Sequence, residues 1–321
     1  MKAIHLTSYG SPAENLKLVD VIEPSAPASN EVLIRVEYSP INMSDLMLAQ
    51  GIYLLRPSLP AVVGGEGVGT VVAIGEKVAN VKVGDRVTIP FGTYSWAEKI
   101  LAPSNKLFVV PENMDPKQSS MMTINPITAV LLLSEFTKLQ KGSWVAFNAG
   151  NSGVGRSLIA IAKSRGIKTV AIVRRPELVD ELKLLGADVV VLDSGNMPLD
   201  VVRETENAKI SLGFDAVGGA ATDSLASVLA YEGQIVVFGL MSGKPGFVGP
   251  GNLFGKKLTV RAFWMFYDEF LEKHPAAAKE AASVMQSGQL KLPIDEIYPL
   301  SKLKDAVEHA QRGGKVLLDF N

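Results

Sequence analysis

Gly150, Gly153 and Gly155 fall within six residues of one another in the run Asn148-Ala149-Gly150-Asn151-Ser152-Gly153-Val154-Gly155. A pyrophosphate needs close approach of backbone N–H groups at a helix N-terminus, and bulky Cβ substituents block that approach. The glycines point to such an anion site. The strict G-x-G-x-x-G spacing is broken, because Ser152 holds the middle position. Context strengthens the match: an apolar strand ends at Asn148, a helix starts near Gly153, and a second strand follows within about 20 residues. The alternative is an ordinary glycine-rich turn from strand to helix.

Which nucleotide binds depends on the end of that second strand, where NAD-binding domains place a carboxylate on the ribose 2′-OH. Here Val173 is followed by Arg174-Arg175-Pro176. Two guanidiniums would hold a 2′-phosphate by forked, charge-assisted hydrogen bonds, which selects NADPH over NADH. The competing reading is a solvated helix start, since exposed arginine is common.

Hydride transfer to a carbonyl compound places negative charge on oxygen, which a metal or a proton donor must meet. The chain has no cysteine, and its three histidines, His5, His274 and His309, lack metal-ligand spacing, so no metal is expected. Tyr53 is the best single proton donor, with aromatic packing at a domain edge as its alternative. Asn42, Ser44 and Asp45 serve either catalysis or the cap of the helix that follows. Gly64-Gly65-Glu66-Gly67 is a polar turn whose glutamate could be structural. The stretch Arg261 to Tyr267, with Phe263 and Trp264, lines an apolar pocket or forms interface core.

The elements that must position these groups suggest two domains across 321 residues. Hydrophobic residues make up 47% and charged residues 20%, a globular composition. The 32 basic residues balance 33 acidic ones, which gives no field for nucleic acid or an anionic membrane, so the ligand should be small. No apolar stretch of about 20 residues exists, and a cytoplasmic protein is the expectation.

Short runs at 32–36, 68–74 and 85–89, punctuated by glycine and proline, predict an antiparallel barrel or sandwich. The long, largely apolar segment 119–139 is rich in helix formers, and helices are expected to begin there. After it, strands at 143–148, 169–173 and 189–192 alternate with helices at 153–165 and 177–185. Further strands at 212–216, 234–238 and 258–262 complete a parallel Rossmann sheet, and a final strand at 315–320 returns to the first domain. The expected division is 1–118 with 268–321 as the β-rich catalytic domain and 119–267 as the α/β cofactor domain.

The motifs Ser39-Pro40-Ile41-Asn42-Met43-Ser44-Asp45, Gly65-Glu66-Gly67-Val68-Gly69, Val83-Gly84-Asp85-Arg86-Val87 and Gly153-Val154-Gly155 resemble the zinc-independent branch of the medium-chain dehydrogenase/reductases. That resemblance implies a GroES-like barrel domain beside the Rossmann domain. Met43 and Gly65 stand where zinc members carry ligands, so it also implies no metal. Within the branch the chain is most similar to mitochondrial-type NADPH-dependent 2-enoyl thioester reductases, through Gln50 to Pro57, Ile124-Asn125-Pro126-Ile127-Thr128-Ala129, Asn151-Ser152-Gly153-Val154-Gly155 and Phe263-Trp264.

By that resemblance Tyr53 is catalytic and Asn125 contacts the nicotinamide. It further implies that Asn42, Asn151, Ser152, Gly153, Val154, Arg174, Arg175, Phe238, Gly239, Leu240, Met241, Phe263, Trp264 and Lys315 bind NADPH. The implied reaction is hydride addition to Cβ of an α,β-unsaturated carbonyl compound, with a proton delivered to Cα. Zeta-crystallin-like quinone oxidoreductases share the fold, so quinone reduction is the alternative, and a non-catalytic NADPH-binding protein is the third. A homodimer through an edge strand of the cofactor sheet is the implied assembly.

Overall fold

The computed structural model describes Met1 to Asn321 in full and divides into two compact units, Met1–Ile124 with Lys291–Asn321, and Asn125–Leu290. The first unit opens with strands β1 (Lys2–Leu6), β2 (Leu16–Asp20), β3 (Glu31–Ile41), β4 (Ala61–Val62), β5 (Gly67–Ile74), β6 (Arg86–Ile89) and β7 (Lys99–Pro103). The second contains β8 (Trp144–Phe147), β9 (Lys168–Val173), β10 (Val189–Leu192), β11 (Ile210–Asp215), β12 (Gln234–Val237) and β13 (Thr259–Ala262). Strands β14 (Glu296–Pro299) and β15 (Val316–Asp319) return the chain to the first unit.

In the first unit, sheet order β14-β15-β3-β5-β6, with β7 also paired to β3, stands beside a small sheet β2-β1-β4. Strand β3 explains the arrangement: Val32, Ile34 and Val36 alternate inward and are fully buried, as a strand with one core face requires. Antiparallel pairing of β15 with β3 sets Val316 opposite Ile41. Lys315 and Asn42 are the next residues beyond that pair, so the register brings a lysine from the tail to the head of the helix Met43–Gln50.

The second unit is the expected parallel sheet, in order β10-β9-β8-β11-β12-β13. Its inner strands are continuously buried because helices cover both faces. The helix Gly153–Arg165 begins just past β8, on the loop that the glycines mark.

Two expectations need revision. The helical segment expected over 119–139 is narrower and interrupted: Pro116–Ser119 is one turn, and Asn125–Glu135 is a separate helix. The backbone N–H groups of Thr123 and Ile124 are bonded to the Glu66 carboxylate, which takes them out of any helical ladder. The unit boundaries also fall at 124/125 and 290/291, not at 118/119 and 267/268. The helix His274–Gln286 buries Ala277, Ala278, Ala281 and Ala282 within the second unit and ties itself there by an Arg165–Glu280 ion pair of 2.7 Å. A stripe of alanines lets helices approach closely, and composition does not say which neighbour receives it.

Candidate active site

In the glycine loop, Ser152 is the N-cap of the helix Gly153–Arg165, and its hydroxyl accepts from the Gly155 N–H at 3.1 Å. Serine at the broken fingerprint position thus satisfies one of the helix's orphan donors. Gly155 is required by close approach, since a Cβ there would lie 2.5 Å from the Gly150 carbonyl oxygen. Gly153 leaves room for Asn125, whose amide would be 2.8 Å from a Cβ at that position. Asn125 is therefore packed directly on the loop, together with Asn151, Ser152, Gly153 and Val154, all of which keep some exposure.

Arg174 and Arg175 follow directly on β9, the strand beside β8, and both are exposed. Arg175 lies 3.7 Å from Glu177, an exposed pair of little energetic weight that leaves the guanidinium accessible to a stronger anion. Phe238, Gly239, Leu240 and Met241 continue from β12, and Phe263 and Trp264 continue from β13. The Phe263 ring is buried in an aromatic cluster, 6.0 Å from Phe136 and 5.0 Å from Phe270, so its side chain is held in the core. Trp264 stacks edge-on with Phe266 and Tyr267 and stays partly exposed.

In the first unit, the helix Met43–Gln50 ends on Gly51 in the left-handed conformation, φ 75°, which turns the chain toward Tyr53. Ile52 and Tyr53 both donate their N–H to the Met47 carbonyl. The Arg56 guanidinium bonds the Gly51 carbonyl, and the Tyr9 hydroxyl donates to Pro57 at 2.6 Å. Tyr53 is thus a half-buried phenol on a stapled turn.

At the other end of the same helix lies a buried polar network. Asn42 is the N-cap, forming a capping box in which Asp45 accepts from the Asn42 N–H at 2.8 Å. The second Asp45 oxygen accepts from the Gly65 N–H at 2.9 Å. Lys315 donates to the Asn42 amide oxygen at 2.6 Å, and the Asn42 amide nitrogen donates to Glu66 at 2.8 Å. The other Glu66 oxygen collects the Thr123 and Ile124 N–H groups at 3.0 and 2.9 Å, and the Thr123 hydroxyl at 3.1 Å.

Burial dominates the electrostatics of this network. Desolvation, reinforced by the nearby Glu66 charge, pushes the Asp45 carboxyl up to about 7, although its two backbone bonds pull the other way. Burial likewise raises the Glu66 carboxyl, with Lys315 opposing. Burial lowers the Lys315 ammonium, and the two carboxylates only partly restore it.

Residues 28–112 match the family described as alcohol dehydrogenase GroES-like domain, and residues 153–283 the one described as zinc-binding dehydrogenase. Over 293 residues the chain is 38% identical to the mitochondrial enoyl-[acyl-carrier-protein] reductase of Caenorhabditis elegans, spanning 88% of this chain and 84% of that one. The chain belongs to the enoyl reductase family of medium-chain dehydrogenase/reductases. The corresponding enoyl reductase of Dictyostelium discoideum is 32% identical, with 99% of this chain and 95% of that one covered. A solved structure of Escherichia coli quinone oxidoreductase complexed with NADPH is 26% identical, with TM-score 0.88 over 99% of this chain and 100% of that one.

This enoyl reductase family member does not carry a donor set for the zinc in the family description. It has no cysteine, and no group of three His, Asp or Glu side chains comes together. At Gly65 a side chain has little room, since a Cβ would lie 3.0 Å from Ile124 and 3.2 Å from Asp45. His274 is engaged with the Met265 carbonyl at 2.9 Å, and His309 with the Tyr298 hydroxyl at 3.1 Å.

Local sequence marks Glu66 only as a polar turn residue and does not single out Asp215. Glu66 proves to be a fully buried hub. Asp215 ends an apolar strand just ahead of Gly218-Gly219, and a lone carboxylate in that setting was the available signal.

Proposed function

We propose that this oxidoreductase uses NADPH to reduce α,β-unsaturated carbonyl compounds, with 2-enoyl thioesters as the substrate class. Membership of the enoyl reductase family carries the reading. The arginine pair placed one strand away from the phosphate loop supports NADPH over NADH. When bound, the cofactor supplies hydride to Cβ of the substrate.

The chain's own residues then have distinct tasks. The loop from Asn151 to Val154 offers backbone donors and the positive end of a helix to the pyrophosphate. Arg174 and Arg175 take the 2′-phosphate, Asn125 steadies the carboxamide end, and Phe238 to Met241 with Trp264 complete the cofactor's bed. Asn42 and Lys315 act from the first unit as a linked donor pair. Tyr53 stabilises the enolate oxygen or delivers a proton to Cα, directly or through water.

Replacing Tyr53 with Phe is expected to lower turnover of a crotonyl thioester at least tenfold, of the order that general acid catalysis contributes. NADPH affinity should stay within about twofold. Undiminished turnover would remove the phenol from the mechanism. Quinone reduction is the second reading, favoured by the similarity to the quinone oxidoreductase. A flat acceptor needs no placed proton donor, so naphthoquinone turnover would survive the same substitution.

We also place a homodimer interface along β13, an edge strand whose four residues are all exposed. Light scattering that returns the mass of one chain would overturn it. No helix is long and apolar enough to cross a membrane. The relatives' compartment is mitochondrial by name.

A further inference from the structure

Asp215 is fully buried at the C-terminal end of β11 and forms no ion pair. An unpaired buried carboxylate is costly unless several donors need it. One oxygen accepts from the Asn148 amide at 2.6 Å and from the Val217 and Gly218 N–H groups at 2.9 and 3.0 Å. The other accepts from the Thr222 hydroxyl at 2.6 Å. The Asn148 amide oxygen in turn accepts the Ala216 N–H at 2.8 Å. One carboxylate thereby joins the residue that ends the β8 strand run, the loop after β11 and the first turn of the helix Ala220–Ser227.

That loop is the template for the next one. The Asp215 carbonyl accepts the N–H groups of Phe238 and Gly239 at 2.9 and 3.3 Å. The Ala216 carbonyl accepts from Met241 at 3.0 Å, and the Val217 carbonyl from Ser242 at 2.9 Å. The two loops touch so closely that a Cβ at Gly239 would lie 2.6 Å from the Ala216 carbonyl oxygen. Any movement of residues 216–218 is therefore passed to Phe238–Met241.

Strand order says which part of the ligand would feel it. Arg174 follows β9 and the phosphate loop follows β8, while β11 and β12 lie on the opposite side of β8. A dinucleotide with its 2′-phosphate over β9 and its pyrophosphate over β8 must lay its nicotinamide half over the ends of β11 and β12. We infer that Asp215 is a positioning residue for the nicotinamide half of the cofactor site, acting through the loops 216–218 and 238–241. The inference rests on the NADPH reading above.

The test compares two probes on purified full-length protein: NADPH, and adenosine 2′,5′-bisphosphate, which carries the adenosine and 2′-phosphate but no nicotinamide. Asp215→Ala should weaken NADPH binding at least tenfold in calorimetric titration while leaving the bisphosphate within about twofold. Asp215→Asn keeps one oxygen for the three donors and offers an N–H to the Thr222 hydroxyl, so it should bind both probes nearly as wild type does. A variant that merely unsettled the fold would lose both probes together. Equal losses for the two probes, or no loss of NADPH binding in Asp215→Ala, overturns the assignment. If Asp215→Ala does not fold, the asparagine variant and Thr222→Val carry the comparison. NADPH weakened by less than twofold in Thr222→Val, or tenfold in Asp215→Asn, then overturns it. Wild-type protein that binds neither probe refutes the NADPH reading itself, a result distinct from any of these.

Discussion

Asp45, Asn42, Glu66 and Lys315 bring two buried carboxylates and a partly buried ammonium together in the first unit, and hydrogen bonds link them. The glycine loop of the second unit is assembled from backbone N–H groups, a serine cap and glycines whose missing Cβ atoms allow backbone to meet backbone. The first depends on buried ionisable groups and their hydrogen bonds, the second on the missing Cβ atoms of its glycines. Charge suits a region whose donors must be aimed by side chains from distant strands. Backbone suits an anion that needs several N–H groups within one turn.

The sharpest break of this contrast is Glu66→Ala. It leaves the Asn42 amide nitrogen and three donors on Thr123 and Ile124 without their acceptor. Leaving a buried donor unsatisfied costs about 1–3 kcal/mol, so the urea midpoint of the protein should fall by at least that much. A wild-type midpoint would show that the network is not structural. Next in size is Gly155→Ala, whose Cβ would press on two backbone carbonyls. NADPH affinity should fall about 100-fold, roughly 2.7 kcal/mol, as measured by nicotinamide fluorescence. Affinity within threefold of wild type would mean that the loop relaxes easily and the contrast fails.

The most gradual effect is read against pH. Asp45 is raised from an unfolded value near 4 to about 7, so between these values the folded chain holds more protons than the unfolded one. Its contribution is fully present below about pH 4 and is lost as pH rises through 7, with a slope of at most about 1.4 kcal/mol per pH unit. Glu66, also raised, adds to the same slope. Lys315 is lowered and acts oppositely, restoring stability only as pH climbs toward the ordinary lysine range. Chemical denaturation at steps from pH 4.5 to 7.5 should show the decline, and Asp45→Asn should flatten it. An unchanged slope in that variant would assign the titration elsewhere.

Much of this arrangement was visible in one dimension. The alternation of buried strands and helices from 143 onward needs only local periodicity, and the sheet has the order and direction expected of it. The phosphate loop was visible because all its parts lie within eight residues. Ser152 was located but not explained, since its capping role depends on where the helix begins. The break between 119 and 125 was missed because its cause, Glu66, lies more than fifty residues away in sequence. The helix His274–Gln286 was assigned to the other unit because an alanine-rich face carries no address.

By itself the sequence determined the fold class and located the glycine loop and the arginine pair that follows the next strand. Each depends on residue type or on spacing within one element. Tertiary structure decided that Lys315 reaches Asn42, that Glu66 ties the first unit's turn to the segment ahead of Asn125, and that Asp215 binds two loops together. These are pairings between residues tens or hundreds of positions apart, set by strand register, and a buried polar residue cannot name its partner until the sheets have brought one to it.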